Sequence, residues 1–317
     1  MKEGAPGGPL AGRVAVVTGA GRGIGRAEAL CLASRGAAVV VNDQEEKSTL
    51  SGEAGAASSV ATEIRDAGGV AVEQAGDVGD PEYVSDLFAD VLRRWGRLDI
   101  VVNNAGFLRD RMLFNMALDE WDDTIRVHLR GHFLVTREAC RIWRQRPHAD
   151  GSSDARLINT TSTSGLLGNV GQANYGAAKA GVAALTLITS MEMRRYGVAA
   201  NAVAPVARTR LTARAYPPTG HPDDVGDRLA PIHVAYLVAY LSSAAAAGIT
   251  GQVFGVCGGQ IELYEGWRVV SSLRSPKPLH PEDLEAKVPQ LLRGRQASYE
   301  PPLQPGAAGA GWDESRS

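Results

Sequence analysis

Tyr175 and Lys179 stand four residues apart in Tyr175-Gly-Ala-Ala-Lys179, the spacing that stacks two side chains on one face of a helix. A phenol with its ordinary pKa of about 10 carries protons poorly at neutral pH, and a cation one turn away is what lowers it. Ser162 comes earlier, in a loop from which its hydroxyl can hold an oxygen beside the phenol. Together the three make a device for moving a proton to or from a carbinol oxygen. Tyr-x-x-x-Lys alone also describes ordinary solvated helix surface, so its meaning depends on the elements around it.

Those elements alternate strand and helix. Arg13–Thr18 is a short β-branched run that reads as a buried parallel strand. It leads into Gly19-Ala-Gly-Arg22-Gly23-Ile24-Gly25 and an apolar helix from Ala27. Strand, glycine turn and helix are the context of a dinucleotide fingerprint, in which backbone N–H groups approach a pyrophosphate at a helix N-terminus. The second strand, Ala38–Asp43, ends in a carboxylate suited to adenosine ribose hydroxyls and repulsive to a 2′-phosphate. Asp43 therefore predicts NAD over NADP, whereas Arg22 is the counter-signal, because a guanidinium pairs with that phosphate.

Residues 44–59 are small and polar and read as a loop before a helix over Val60–Ala67. A strand over Val70–Gln74 ends at Gly76-Asp77-Val78, which places Asp77 either against adenine or as a cap before Pro81. A helix over Glu82–Trp95 leads to the strand Leu98–Val102 and then Asn103-Asn104-Ala105-Gly106. This is where open α/β sheets reverse strand order and bind ligands. Residues 120–145 read as one long helix, Leu157–Ser162 as the fifth strand and Val198–Pro205 as the sixth. Residues 206–230, broken by Pro217, Pro218, Gly220 and Pro222, suit a substrate lid. A helix over Ile232–Ala244, a last strand within Ile249–Gly258 and a short helix over Pro281–Leu292 complete the reading. The expected fold is α/β, a Rossmann-type doubly wound parallel sheet in a single domain (13–260). A flexible lead-in (1–12), a C-terminal extension (261–300) and a disordered tail (301–317) flank it.

The 317 residues carry a net charge of −2, which gives no reason to expect nucleic acid or a membrane surface as partner. Cys31, Cys140 and Cys257 are scattered, without metal or redox spacing, and fit a reducing cytoplasm. The N-terminal stretch lacks the apolar core of a signal peptide, and no apolar run is long enough for a membrane span.

Over residues 12–260 the chain resembles the short-chain dehydrogenase/reductase family, on Thr18-Gly19-Ala-Gly-Arg-Gly23-Ile-Gly25, Asn103-Asn104-Ala105-Gly106, Ser162 and Tyr175-x-x-x-Lys179. The resemblance implies Tyr175 as general acid/base, with Lys179 lowering its pKa and binding the nicotinamide ribose. It implies Ser162 as the group that polarises the substrate oxygen. Ser164 competes for that role, but Ser162 lies thirteen residues before Tyr175, the spacing usual in the family. It further implies a nicotinamide cofactor held by Thr18, Gly19, Arg22, Gly23, Ile24 and Gly25, by Asp43, Asp77 and Val78, by Asn104, Ala105 and Gly106, by Tyr175 and Lys179, and by Pro205, with no metal. Where the family carries an asparagine that helps hold a relay water, this chain has His128, in His128-Leu-Arg-Gly131; Pro205-Val206 stands for the usual Pro-Gly.

Val127-His-Leu-Arg-Gly131, Val41-Asn-Asp43 and Asn103-Asn-Ala-Gly-Phe-Leu-Arg109-Asp110-Arg111 look like the (3R)-hydroxyacyl-CoA and 17β-hydroxysteroid dehydrogenase unit of multifunctional enzyme type 2. The expectation is NAD-dependent oxidation of a secondary alcohol, an acyl-CoA or steroid substrate, in a cytoplasmic homodimer or homotetramer. Arg109 and Arg111 are placed either to meet a CoA phosphate or as plain surface charge. The rival readings are an NADPH-dependent 3-oxoacyl-carrier-protein reductase and a non-catalytic nucleotide-binding sensor or scaffold.

Overall fold

The structure, a computed structural model, describes residues 7–44, 55–145, 154–212, 225–275 and 278–291. The β-branched runs build seven parallel strands: β1 (Val14–Thr18), β2 (Ala38–Asp43), β3 (Val70–Ala75), β4 (Ile100–Asn103), β5 (Ala155–Thr160), β6 (Val198–Pro205) and β7 (Val253–Cys257). With β8 (Gln260–Tyr264) they form one sheet of order β3-β2-β1-β4-β5-β6-β7-β8. The chain thus winds outward from β1 to β3, returns, and starts again on the other side of β1 with β4. That reversal opens a crevice at the carboxyl ends of β1 and β4.

Side chains alternate between two cores. Ala15, Val17, Val39 and Val41 face one, Val14, Val16 and Val40 the other. The first core is completed by α1 (Gly23–Ser34), α2 (Ala56–Asp66) and α8 (Ile232–Leu241), the second by α3 (Pro81–Trp95), α5 (His132–Gln145) and the end of α7 (Ala173–Met193). Cover on both faces is why the strands read as continuous apolar runs instead of alternating ones. Local signals set the helix ends. Asp80 caps α3 by accepting the Glu82 N–H at 2.9 Å, Pro81 takes the first position, and Gly96 stops the helix at φ +66. Two short helices, α4 (Leu118–Ile125) and α6 (Thr163–Leu166), lie beside the crevice-forming loops. The first compact unit is Met1–Leu263 and the second Tyr264–Ser317; α9 (Pro281–Leu291) is the second unit's helix among the described residues.

Four expectations are corrected. The long helix over 120–145 is α4 and α5 joined by a π-helical turn, Arg126–Gly131; the apolar periodicity continues across it, so the sequence pattern does not show the extra residue. Helix α2 starts at Ala56, four residues early, because Ala57 is buried and alanine favours helix over loop. The sheet runs past residue 260: the Gly258-Gly259 turn, with Gly258 at φ +59, folds β8 back beside β7. The lead-in is anchored at Leu10, which is fully buried and whose N–H donates to Arg35 O at 3.0 Å, while Gly7, Pro9, Ala11 and Gly12 stay exposed. Residues 1–6 of the lead-in, 45–54 of the loop, 213–224 of the lid segment, 292–300 of the extension and the tail 301–317 lie outside the described residues.

Candidate active site

The crevice at the ends of β1 and β4 is a cleft of about 320 Å³, within the size range of small-molecule sites. Gly19, Arg22, Gly23, Ile24, Asp43, Asp77, Val78, Asn104, Ala105 and Gly106 line it. No side chain caps α1, so its first N–H groups are open to an anion. Thr18, Gly25 and Pro205 do not line the cleft; they shape it. The Thr18 hydroxyl accepts the N–H groups of Asn104 (3.0 Å) and Ala105 (3.1 Å). The Asn104 side chain donates back to the carbonyls of Thr18 (3.1 Å) and Gly19 (3.0 Å), so the glycine turn is fastened to the end of β4. A β-carbon on Gly25 would sit 2.2 Å from Gly19 O, which only glycine avoids. Pro205 ends β6, after which Val206 N–H joins β7 at Val256 O.

The two carboxylates of the cleft differ. Asp43 accepts the N–H groups of Gly21 and Gln44, both at 2.8 Å, and faces the cleft from the end of β2. Asp77 instead accepts from the Arg126 guanidinium at 2.5 Å and from Gly79 N–H at 2.8 Å, so it reaches the cleft as half of an ion pair. The alternative capping role falls to Asp80. Thr209, Arg210 and Leu211 also line the cleft and were not foreseen. Their one signal was the broken segment expected as a lid. Among the described residues no group of three or more His, Cys, Asp or Glu side chains is placed to hold a metal, and no helix is long and apolar enough to cross a membrane.

Tyr175 is the third residue of α7 and half-buried. Ser162 follows β5 and caps α6 by accepting the Ser164 N–H at 3.1 Å. The Ser164 hydroxyl is committed elsewhere: it donates to Gln172 Oε1 at 2.7 Å. Lys179 is 2 % exposed, donates to Thr160 O at 2.5 Å, and holds its Nζ 5.7 Å from the Tyr175 ring centroid. In the protein alone, burial pushes the phenol up to about 12, against the Ser162 hydroxyl and with the help of the Asp110 charge. The same burial brings the Lys179 ammonium down to about 7.

His128 joins the two halves of the site. Carried on the π-helical turn, it is fully buried, with Nε2 3.0 Å from Phe107 N and 2.7 Å from Phe107 O, and its ring meets Tyr175 edge-on at 5.0 Å. Gly106 makes room for it, as a β-carbon there would lie 2.2 Å from the imidazole. Its Nδ1 is buried without a protein partner, and burial lowers the ring's pKa to about 3. Asn174, also not foreseen, is fully buried. Its amide donates to Arg109 O, Glu120 O and Thr124 Oγ1 at 3.0–3.1 Å, and its oxygen accepts the Tyr175 N–H at 2.7 Å. It ties the loop after Gly106 and α4 to the first turn of α7. Of the two arginines in that loop, Arg111 pairs with Glu120 at 3.0 Å and Arg109 lies over the Phe107 ring at 5.4 Å.

Comparison with known proteins agrees with this geometry. The family model described as short chain dehydrogenase matches residues 13–217. Hydroxyacyl-CoA dehydrogenase ChsB1 of Mycobacterium tuberculosis is 51% identical over 263 residues, which cover 80% of this chain and 80% of that protein. The peroxisomal multifunctional enzyme type 2 of Mus musculus is 38% identical over 302 residues, 94% of this chain but 39% of that longer protein. A solved structure of a short chain dehydrogenase from Mycobacterium avium matches with a TM-score of 0.82 and 44% identity, over 93% of this chain and 99% of that one. The chain belongs to the short-chain dehydrogenase family, oxidoreductases that act on a CH–OH group with a nicotinamide dinucleotide.

Proposed function

We propose that this chain oxidises a (3R)-3-hydroxyacyl-CoA, of fatty or steroid side-chain type, to the 3-ketone with NAD. The observation that carries the reading is buried Lys179, its Nζ 5.7 Å from the Tyr175 ring centroid, on the same helix face as that phenol, beside a cleft that Asp43 lines from the end of β2. Ser162 orients the substrate oxygen, Tyr175 takes the hydroxyl proton, and Lys179 stabilises the phenolate charge. Hydride acceptance is the chemistry that a nicotinamide dinucleotide supplies when bound. His128 Nδ1, buried and without a protein partner, supports a role in holding a water near Tyr175, the part an asparagine plays elsewhere in the family. The similarity to the hydroxyacyl-CoA dehydrogenase of Mycobacterium tuberculosis supports the acyl-CoA assignment. Phe133, Leu187, Ile188 and Met191, exposed on α5 and α7, support assembly into a homo-oligomer.

One observation favours a second reading. Arg22 lines the same cleft as Asp43, and a guanidinium there suits the 2′-phosphate of NADPH and reduction of a 3-oxoacyl carrier protein. Steady-state turnover of a (3R)-3-hydroxyacyl-CoA with NAD, and separately with NADP, decides between them. A clear preference for NAD is expected. A preference for NADP would give the site to the reductase, and turnover of a hydroxysteroid alone would keep the mechanism and change the substrate.

A further inference from the structure

Asp77, Val78 and Gly79 follow the end of β3, and three residues of the π-helical turn grip them. Arg126 Nη1 donates to Asp77 Oδ2 at 2.5 Å, and Arg130 Nη1 donates to Gly79 O at 2.7 Å. Gly131 packs on Val78, where a β-carbon would lie 3.0 Å from the Val78 side chain. Gly79 leaves the space that the guanidinium fills, since a β-carbon there would sit 2.3 Å from Arg126 Nη1. The second Asp77 oxygen, Oδ1, accepts the Gly79 N–H at 2.8 Å. The carboxylate is therefore held at both oxygens, which fixes its plane, and it still lines the cleft.

Asp77 stands where the cleft has room for a base. The open N–H groups at the start of α1 suit the pyrophosphate, which leaves the ends of β2 and β3 for the adenosine. Asp43 lines that part from β2, and Val78 and Val127 give it apolar wall beside Asp77. An ionised carboxylate accepts at about four sites, so one bonded to Arg126 and Gly79 still accepts from a ligand N–H. Resting on the nucleotide reading of this cleft, we propose that Arg126 is a positioning residue for base selection. By holding Asp77 it keeps an acceptor at the exocyclic amine of adenine, and the site prefers adenine to a base with a carbonyl in that position. Without the guanidinium only the Gly79 N–H holds the carboxylate, whose side chain is 28 % exposed and then turns toward water.

The test compares binding of NAD with binding of nicotinamide hypoxanthine dinucleotide, which carries a carbonyl in place of the adenine amine, followed by protein fluorescence. The wild type should bind NAD on the order of tenfold more tightly, as expected for one hydrogen bond to a charged group. In R126M that preference should fall to about two- to threefold; a preference that stays at the wild-type value overturns the proposal. The ion pair is partly exposed, so its loss costs little stability. R126K keeps a donor of the same charge for a contact that Arg126 makes through one nitrogen. It should recover part of the preference, and an R126K no better than R126M overturns the ion pair's part. D77A separates the two levels of the argument. A preference that survives in D77A means that Asp77 does not meet the base, which overturns the proposal while NAD still binds. A wild type that binds neither dinucleotide overturns the nucleotide reading and the proposal with it.

Discussion

Replacing His128 by asparagine should flatten the dependence of stability on pH. In the folded protein the imidazole is fully buried with one ring nitrogen unpartnered, and its pKa is lowered from 6.5 to about 3 by burial and by the nearby Lys179 charge. Its folded pKa lies below the unfolded one, so between these values the unfolded chain binds a proton that the folded chain refuses. The contribution is fully present above about pH 6.5 and is lost as pH falls toward 3. At pH 5 the unfolded histidine is protonated about thirtyfold over, which costs the native state about 2 kcal/mol relative to pH 7.5. That figure needs only a folded pKa well below 5. Urea unfolding of the wild type and of H128N at pH 7.5 and pH 5 measures it. The fall in stability from pH 7.5 to pH 5 should be smaller in H128N by about 2 kcal/mol; His132, buried and also depressed, remains in both proteins and drops out of the comparison. An equal fall in both proteins would show that His128 takes up its proton in the folded state, and the buried neutral imidazole would be wrong.

Two further outcomes follow from the site. Asn174→Ala removes the amide that serves three acceptors at 3.0–3.1 Å in a fully buried position. It should destabilise the protein by about 2–4 kcal/mol and lower kcat more than nucleotide affinity, read by urea unfolding together with steady-state kinetics. Asp43→Ser removes the carboxylate that lines the cleft from the end of β2; on the proposed function, the ratio of kcat/KM with NAD to that with NADP should fall at least about tenfold, and an unchanged ratio would take the cofactor choice away from Asp43.

Much of this fold is written in local patterns. The valine-rich runs of β1 and β2 and the apolar run of β6 mark their strands, and the glycine turn follows β1 because backbone must approach backbone there: the Gly25 α-carbon has no room for a side chain beside Gly19 O. The parts that were not legible depend on distant partners or on one-residue shifts. The π-helical turn keeps the apolar faces of α4 and α5 while adding a residue, so the periodicity runs through it unbroken. Strand β8 carries Ile261 and Leu263 exposed, 57 % and 64 %, so no buried face marks it as part of the sheet. Asn174, Gln172 and Asp110 look like ordinary polar loop residues until the fold brings positions 50 to 65 residues apart into hydrogen-bonding range. The Tyr175 phenol taught a different lesson. Spacing put a cation one turn away, but spacing does not report burial, which raises the phenol in the protein alone.

The most direct measurement is turnover by the Tyr175→Phe variant, with NAD binding followed by protein fluorescence on the same sample. The ring still packs against His128 at 5.0 Å without its hydroxyl, so nucleotide affinity should stay within about twofold while kcat falls by on the order of a thousandfold. A variant that binds NAD normally and oxidises the alcohol at a near wild-type rate would contradict the account, because the proton would then leave by a group other than Tyr175.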